Sequence, residues 1–497
     1  MRVSTWGKIV SGSLVGALAA CGGGHGGGYG MAMPAPAPAP APTVSFSQPS
    51  AAAAIDFGQA LTLTWTSADT TACTATTSSA AGGTFTGSQM VSGTQTVVPT
   101  AAGTYTYTLS CTGTGGSKSA SASVTVGPNL LSTLTPTVAI PTVGTTVDPK
   151  NGDLNPYGLV IAPATAGLIT KGDLVVCNFN DGPTNTQGNG TTIIGLHPAA
   201  GSMPYRIAQS ADLQGCNALA MLPDDSISAA GWKSNLNPLV SATGAVGTPF
   251  SSDTFSGPWG EAYVAATATQ PAALYVSNAP GGATTAGGTI DRISLDADAQ
   301  TSLTEIVTGI CSGGAPGSIF GPAGLTYDPA SDTLYIVATS SASVIAIAGV
   351  SGIPKDGVVV NGQCAGTSIP TPVPTFSGPS MASARVIAHG TPFSTPLSAA
   401  LLKNGDLVVG NADIGIMTPS MTTNLLIEVS PVLPGGFVGA PLQVDKGTPG
   451  ALFGIAATVD ATGNQIIYFN DDNNNAVMQL GPVAAAATPT TPTTPGY

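Results

Sequence analysis

Few residues of this sequence could carry acid–base or nucleophilic chemistry, and those present lie far apart. The chain contains three histidines, His25, His197 and His389. His25 stands among glycines, the other two lie in the predicted loops GLHPAAG and IAHGTP, and they form no zinc-type pair. Neither the G-x-S-x-G of a serine hydrolase nor the C-x-x-C-H of a covalent haem site occurs. We therefore predict no catalytic residue, no metal ligand and no cofactor.

Two sets of amide and acidic residues call for an interpretation. The run DDNNN at 471–475 superficially matches a calcium loop, but the sixth and twelfth positions hold Ala476 and Pro482 instead of Gly and Glu. We interpret it as a turn. Four asparagines share the end of the second strand of a repeated unit: Asn178, Asn278, Asn411 and Asn470. Repetition at one position predicts a structural role, because asparagine caps its own turn and tolerates left-handed geometry.

The segment 1–20 has the features of a secretion signal. Arg2 and Lys8 provide a basic start. The apolar run from Ile9 to Ala20 is too short to span a bilayer, which takes about 20 residues. We therefore expect export of the chain.

The end of this segment, LAAC, resembles the lipobox of bacterial lipoproteins, which are cleaved just before the cysteine. The resemblance implies that Cys21 receives acyl chains such as palmitate, and these would anchor the protein to a membrane. Gly22 in the next position implies the outer membrane of a Gram-negative cell, with the protein facing the periplasm or the exterior. The alternative is an ordinary secretory signal with a stray thiol nearby.

With Cys21 set aside, six of the seven cysteines remain, a number suited to three disulfides in an exported protein. They are Cys73, Cys111, Cys177, Cys216, Cys311 and Cys364. The first two fall in one N-terminal segment. Sequential pairing of the other four, 177 with 216 and 311 with 364, closes the shortest loops and is the pairing we predict. Alternatively, some of these four are buried free thiols.

Charged residues make up only 7% of the chain, against about 25% in typical soluble proteins. Uncharged polar residues must then cover the surface, which favours strands and turns over long helices. The 12 basic and 25 acidic residues give a net charge of −13, so no nucleic acid partner is expected. Few carboxylates would also suit an acidic exterior, a hypothesis that a steep loss of stability at low pH would contradict.

The chain divides by composition. A glycine run and a Pro-Ala spacer fill 21–43, and short alternating strands fill 44–127. The stretches LTWTSADTTACTAT and GTYTYTLSCTGTGGSKSASASVTV resemble immunoglobulin-like modules of bacterial surface proteins. The resemblance implies a β-sandwich in which Trp65 packs near a bridge between Cys73 and Cys111. We expect a spacer, with weak adhesion as the alternative.

One pattern recurs from 137 to 482, in which a Gly-containing turn leads into a strand and two more strands follow. PYGLVIAP, GDLVVCNFND and TTIIGL make up the first copy, and ALFGIAATVDATGNQIIYFNDDNNNAVMQL is the clearest. Six copies are recognisable, at a mean spacing of roughly 60 residues. They resemble NHL-type repeats, which implies an all-β chain with a β-propeller of six blades, or seven. We expect disorder in the 483–497 tail.

Trp259 and Glu261, in GPWGEAY, start the first strand of one copy. In propellers that strand lines the central channel, and an indole beside a carboxylate can bind a sugar or an apolar ligand. The alternative, which we favour, is that Trp259 belongs to the hydrophobic core between two blades and binds no ligand.

These features predict a lipid-anchored cell-envelope protein whose propeller binds an unknown protein or polysaccharide without catalysis. The first alternative is a propeller hydrolase or lyase, lactonase-like, with a metal in the channel. The second is a structural envelope protein.

Overall fold

The computed structural model describes residues 36–49, 53–136, 139–268, 270–296, 299–315, 319–361, 364, 372–412, 423–433 and 435–482. The predicted signal peptide, Cys21, His25, most of the 21–43 linker and the 483–497 tail lie outside them. The described chain is built of strands, with one four-residue α-helix and five short 3-10 turns, which confirms the all-β prediction. No helix in these ranges has the length and apolar character needed to cross a membrane.

The N-terminal strands form a sandwich of two sheets. Its strands are β1 (Thr43–Gln48), β2 (Ala53–Asp56), β3 (Leu61–Ala68), β4 (Ala72–Thr77), β5 (Gly87–Gln89), β6 (Gly93–Val97), β7 (Gly103–Gly113) and β8 (Gly116–Gly127). One sheet has the order β1-β3-β6 and the other β2-β8-β7-β4-β5. Alternate residues of β3 and β7 are buried, so the period-two pattern of LTLTW and TYTYTL places one face of each strand in the core.

Trp65 lies in the sandwich core and packs edge-on against Phe85, with ring centroids 5.5 Å apart. Cys73 and Cys111 are bonded and belong to the same core. They are direct partners on the neighbouring strands β4 and β7, so the bridge lies within one sheet. The immunoglobulin bridge joins two sheets, and the module departs from that pattern here.

The rest of the chain forms six further sheets after the short helix α1 (Leu130–Thr133) and strand β9 (Thr142–Thr145). Sheet 1 contains β10 (Leu154–Ile161), β11 (Leu174–Asn180), β12 (Thr192–Leu196) and β13 (Tyr205–Gln209). Sheet 2 contains β14 (Cys216–Met221), β15 (Ile227–Gly231) and β16 (Leu239–Val240). Sheet 3 starts with β17 (Pro258–Val264), β18 (Ala273–Asn278), β19 (Gly282–Asp296) and β20 (Ala299–Gly314).

Sheet 4 contains β21 (Pro322–Asp328), β22 (Thr333–Ala338), β23 (Ser343–Ala348) and β26 (Ala384–His389). The strands β24 (Val358–Asn361) and β25 (Thr375–Ser377) lie between the last two in the chain but extend sheet 3 to six strands. Sheet 5 contains β27 (Pro396–Leu401), β28 (Leu407–Asn411), β29 (Leu425–Val429) and β30 (Phe437–Gln443). Sheet 6 contains β31 (Ile455–Val459), β32 (Gln465–Asp471) and β33 (Ala476–Leu480).

The six sheets close into a ring, which is the arrangement of a β-propeller. The first strand of each sheet contacts the first strand of the next: β10 with β14, then β17, β21, β27 and β31, which returns to β10. Strand β9 pairs with β33 and completes sheet 6, so the start of the propeller is joined to its end. Every repeat copy found in the sequence supplies strands of one of these sheets.

A buried ion pair reinforces the closure. Arg206 of β13 donates through Nε to Asp148, which follows β9, over 2.8 Å, and a second guanidinium nitrogen reaches the same carboxylate. Burial alone would raise the pKa of Asp148, but the hydrogen bonds from Arg206 and two backbone amides hold it below its ordinary value. The first and last parts of the ring are thus held by backbone pairing and by charge.

Glycine follows the first apolar residue of several inner strands because neighbouring backbones approach closely there. A Cβ at Gly454 would collide with the carbonyl oxygen of Tyr157, and one at Gly260 with that of Ala323. The dipeptides that the repeat pattern shows as FG and WG are therefore required by contact between adjacent sheets.

Left-handed asparagines join one sheet to the next. Asn475, Asn424 and Asn235 have φ of 47°, 53° and 58°. Asn475 accepts a hydrogen bond of 2.7 Å from the amide of Asn155, which enters β10, and Asn235 accepts one of 2.9 Å from the amide of Gly257, which precedes β17. Such φ values suit asparagine, so these turns fix the position of one sheet relative to the next.

The three predicted disulfides are all present. Cys177 of β11 is bonded to Cys216 of β14, which ties sheet 1 to sheet 2. Cys311 of β20 is bonded to Cys364, beyond β24. Sequential pairing is thereby confirmed.

Candidate functional site

The first strands of all six sheets line one cavity of about 430 Å³ along the axis of the ring. The lining stretches are 157–161, 217–221, 259–263, 324–327, 397–401 and 453–457. The predicted pair Trp259 and Glu261 belongs to this lining. A volume in this range suits a small ligand or a short part of a larger one.

Stacked aromatic side chains close one end of the cavity. The Tyr157 ring lies between those of Phe179 and Phe453, at centroid distances of 4.2 Å and 3.6 Å. Trp259 is only 6% exposed and belongs to the same apolar cluster. Trp259 therefore has the surroundings of a core residue between sheets, which is the interpretation favoured from the sequence.

The other end of the cavity is more open. Its walls end in half-buried side chains: Ile161, Met221, Tyr263, Tyr327 and Leu401. The accessible wall combines polar backbone edges with apolar side chains in nearly equal parts and carries two tyrosine residues, which suits the faces and hydroxyl groups of sugars.

Glu261 is the one carboxyl group in the lining and is 6% exposed. Its Oε1 accepts a hydrogen bond from the side-chain amide of Asn237, in the connection between β15 and β16. Desolvation raises the pKa of Glu261 to about 8, although hydrogen bonds involving Ser228, Asn237 and the Ala220 backbone work against this rise. At pH 7 the carboxyl is thus predominantly neutral, and the cavity carries no net charge.

Three lining residues have buried polar atoms without a hydrogen-bond partner of acceptable geometry in the described chain. They are both amide atoms of Asn217, the hydroxyl of Ser398 and Oε2 of Glu261. These atoms are inaccessible to solvent and therefore lie behind the surface of the cavity. The surface offered to a ligand is therefore formed by apolar side chains and by the backbone edges of the first strands.

The other sequence candidates lie away from the cavity lining. His197 is in a loop, as predicted, with 61% of its side chain exposed; its Nδ1 lies 2.6 Å from the buried carboxylate of Asp173, which also accepts from Tyr205. The sequence prediction missed this contact. His389 ends strand β26, so its assignment to a loop was wrong, because it pairs with Ser343 in sheet 4.

The four asparagines have the predicted structural role and DDNNN is a turn, but the reason given for the asparagines was wrong, because none of the four has a left-handed φ. Asn178, Asn278, Asn411 and Asn470 are fully buried and hydrogen-bond to the backbone or to neighbouring side chains. The run 471–475 contains the turn between β32 and β33. Within the ranges that the structure covers, no three His, Cys, Asp or Glu residues are grouped so as to hold a metal ion.

Comparison with known proteins returns solved structures alone. No protein-family model matches the chain. No curated protein matches its sequence. Virginiamycin B lyase from Staphylococcus aureus is similar at 13% identity, over 67% of this chain and 97% of that one, with a TM-score of 0.39. The calcium-binding protein regucalcin from Agrobacterium tumefaciens has 16% identity, 70% and 96% coverage and a TM-score of 0.40. A luciferin-regenerating enzyme has 10% identity, 67% and 94% coverage and a TM-score of 0.41. Likeness at this level tells nothing about the chemistry of this chain.

Proposed function

We propose that this protein is a lipid-anchored, non-catalytic binding protein of the cell envelope. A six-bladed, NHL-like propeller binds an uncharged ligand, such as a segment of a polysaccharide, through its central cavity. The immunoglobulin-like module and the Pro-Ala segment act as spacers between the propeller and the outer membrane. The anchor rests on the LAAC sequence at Cys21, and the binding role on the cavity.

The observation that carries the binding role is the chemistry of the cavity wall. The first strands supply apolar side chains and two half-buried tyrosines, Tyr263 and Tyr327. The carboxyl group of Glu261 is buried, and its raised pKa keeps it neutral at pH 7. A charged ligand would lose its hydration without gaining a counter-charge, so an uncharged ligand is favoured.

Binding is tested with the purified protein and neutral oligosaccharides, with uronic acid oligomers of the same length as the charged comparison. A ligand at 100 times its Kd stabilises the folded protein by about 2.7 kcal/mol, which a thermal shift detects. Tyr327→Ala should remove the shift, while Met203→Ala, at a side chain that is 77% exposed and outside the cavity, should retain it. An equal shift with the charged oligomers, or one that Tyr327→Ala leaves unchanged, would refute the assignment.

The anchor is tested separately in cells. Cys21→Ser should move the protein from the membrane fraction to the soluble fraction, because one residue carries all the acyl chains. Mass spectrometry of the wild-type N-terminal peptide should show those chains, and an unmodified peptide would end this part of the proposal.

A further inference from the structure

The sandwich is docked on sheet 5 by hydrogen bonds that link residues remote in sequence. The hydroxyl of Ser430 donates to the carbonyl of Gly58 over 2.6 Å. The side-chain amide of Gln59 donates to the carbonyl of Asn404. A Cβ added at Gly58 would meet Val438 of β30 at 3.2 Å, so this turn of the sandwich lies directly on the propeller.

The connection between the two parts is held by one carboxylate. Glu428 of β29 is 1% exposed and accepts hydrogen bonds from the amides of Leu130 and Leu131, at 3.2 Å and 2.6 Å. It also accepts one of 2.9 Å from the side-chain amide of Asn129. The first turn of α1 is therefore capped by a residue of sheet 5 instead of by its own N-cap, which has no side-chain capping bond.

Two further carboxyl groups meet Glu428 at this junction. Asp406, in the turn between β27 and β28, is 2% exposed, and the amide of Asn404 donates to both Asp406 and Glu428, at 3.1 Å and 3.4 Å. The second carboxyl group is that of Asp56, at the end of β2 in the sandwich. Burial, followed by the charge and hydrogen bonding of Glu428, raises the pKa of Asp406 to about 8. Burial and Glu428 also raise the pKa of Asp56, and Lys403 lowers it.

Few cations face this cluster. Lys403 lies near Asp56, but its Nζ donates to the carbonyl of Gly463. Arg385, Asp328 and Tyr335 lie on the side of Asp406 that faces sheet 4, where Arg385 donates to the carbonyl of Pro431. Neither cation forms an ion pair with a carboxylate of the cluster. A proton is therefore the main means of relieving repulsion between Asp406 and Glu428.

We propose that this junction is a proton-dependent lock, in which one proton on the Asp406 carboxyl group, beside the buried Glu428, keeps the sandwich docked on the propeller. When that proton passes to solvent base, two buried carboxylates face each other, the capping bonds to α1 weaken, and the sandwich is released. The direction follows from linkage. Because the docked state binds the proton more tightly than the open state, docking is complete at acidic pH and weakens as pH rises through the docked pKa. The lock therefore keeps the envelope protein in one shape at acidic pH and frees the sandwich at alkaline pH.

Hydrogen exchange of the full chain tests the lock, since the Leu130 and Leu131 amides donate to Glu428 directly. After correction for intrinsic exchange, their protection should fall at least about tenfold between pH 5 and pH 8. Asp406→Asn keeps an uncharged group that can donate to Glu428, so its protection should stay high and change little with pH. Asp291→Asn alters another buried carboxyl, in sheet 3, and should retain the wild-type response at the junction.

The same pH response in Asp406→Asn as in the wild type, or a wild-type protection that does not change with pH, would overturn the proposal. If Asp406→Asn fails to fold, small-angle scattering of the wild type decides. Expansion between pH 5 and pH 8 with unchanged circular dichroism supports release of a folded sandwich, and a constant radius of gyration refutes it.

Discussion

Replacement of Glu261 by glutamine isolates the effect of one buried carboxyl on stability. Its raised pKa means that the folded protein keeps the proton that the unfolded chain loses near pH 4.5. Such a group stabilises the fold fully below the unfolded pKa, and this stabilisation is lost as pH rises through the folded value of about 8. Glutamine retains an oxygen that can accept from Asn237 but carries no titrating proton.

The magnitude follows from one proton per molecule. Between pH 5 and pH 8 this group lowers the free energy of unfolding by about 1.4 kcal/mol per pH unit, or about 4 kcal/mol in total. The Glu261→Gln protein should therefore lose less stability than the wild type over this range, by an amount of that order. The absolute stability at pH 5 should change little, because the wild-type carboxyl is then neutral too.

Urea unfolding at pH 5, 6, 7 and 8, followed by circular dichroism, measures this difference. Asp253→Asn changes an exposed carboxylate and provides the matched control, which should keep the wild-type pH dependence. If Glu261→Gln loses stability with pH as steeply as the wild type, the carboxyl is not held neutral by burial, and the reasoning about the uncharged cavity fails with it.

Other expectations concern the ring. Gly454→Ala should cost about 2 kcal/mol in chemical denaturation, because its Cβ meets the neighbouring backbone, whereas Gly352→Ala, with open space around it, should be near neutral. Replacing both Cys177 and Cys216 by alanine should cost about 4 kcal/mol, since the bridge spans 39 residues and joins two sheets. Arg206→Gln leaves a buried carboxylate without its counter-charge, which should cost about 3 kcal/mol at pH 7 and less near pH 4, as judged by thermal unfolding at both pH values. Losses below 1 kcal/mol in these three variants would contradict the roles given to these contacts.

The hypothesis of an acidic exterior gains a physical basis from the buried carboxyls. Desolvation raises the pKa of Asp291 and of Asp472 to about 7, and that of Glu261 to about 8. Each of these groups contributes stability at acidic pH that is lost as pH rises through its folded pKa. Asp148 acts in the opposite direction. Because its pKa is lowered in the folded protein, the stability that this group contributes is lost as the pH falls through that pKa. With more groups raised than lowered among the buried ones, we expect the fold to tolerate acid better than alkali.

Much of the fold could be predicted because its signals are local. The glycines of PYG, PWG and LFG mark the close approach of inner strands, and the Asn-rich turn at 471–475 marks a left-handed corner; both lie within a few residues of the strands they serve. The cysteine pairing was predictable for a related reason, since each bridge closes a short loop between strands that lie close together in the fold.

Other features depend on residues that the chain brings together from far apart. Glu428 caps the first turn of α1 and also accepts a hydrogen bond from Asn129, 299 residues earlier in the chain. No sequence pattern near Glu428 or Asn129 indicates this contact. Strands β24 and β25 follow part of sheet 4 in the chain but join sheet 3. The bridge between Cys73 and Cys111 lies within one sheet because the register of β4 and β7 places the two residues opposite each other.

From its sequence alone, this protein could be recognised as a chain of short strands with paired cysteines and a repeated turn. Those properties depend on residue types and on short spacings along the chain. Alternation of apolar and polar residues favours strands, and steric limits on the backbone favour glycine and asparagine in tight turns. The tertiary structure decided which carboxyl groups lose their water, and therefore which ones hold a proton at neutral pH. Burial is set by the elements that pack over a residue, and for Glu261 and Asp406 those elements include parts of neighbouring sheets that the local sequence does not specify.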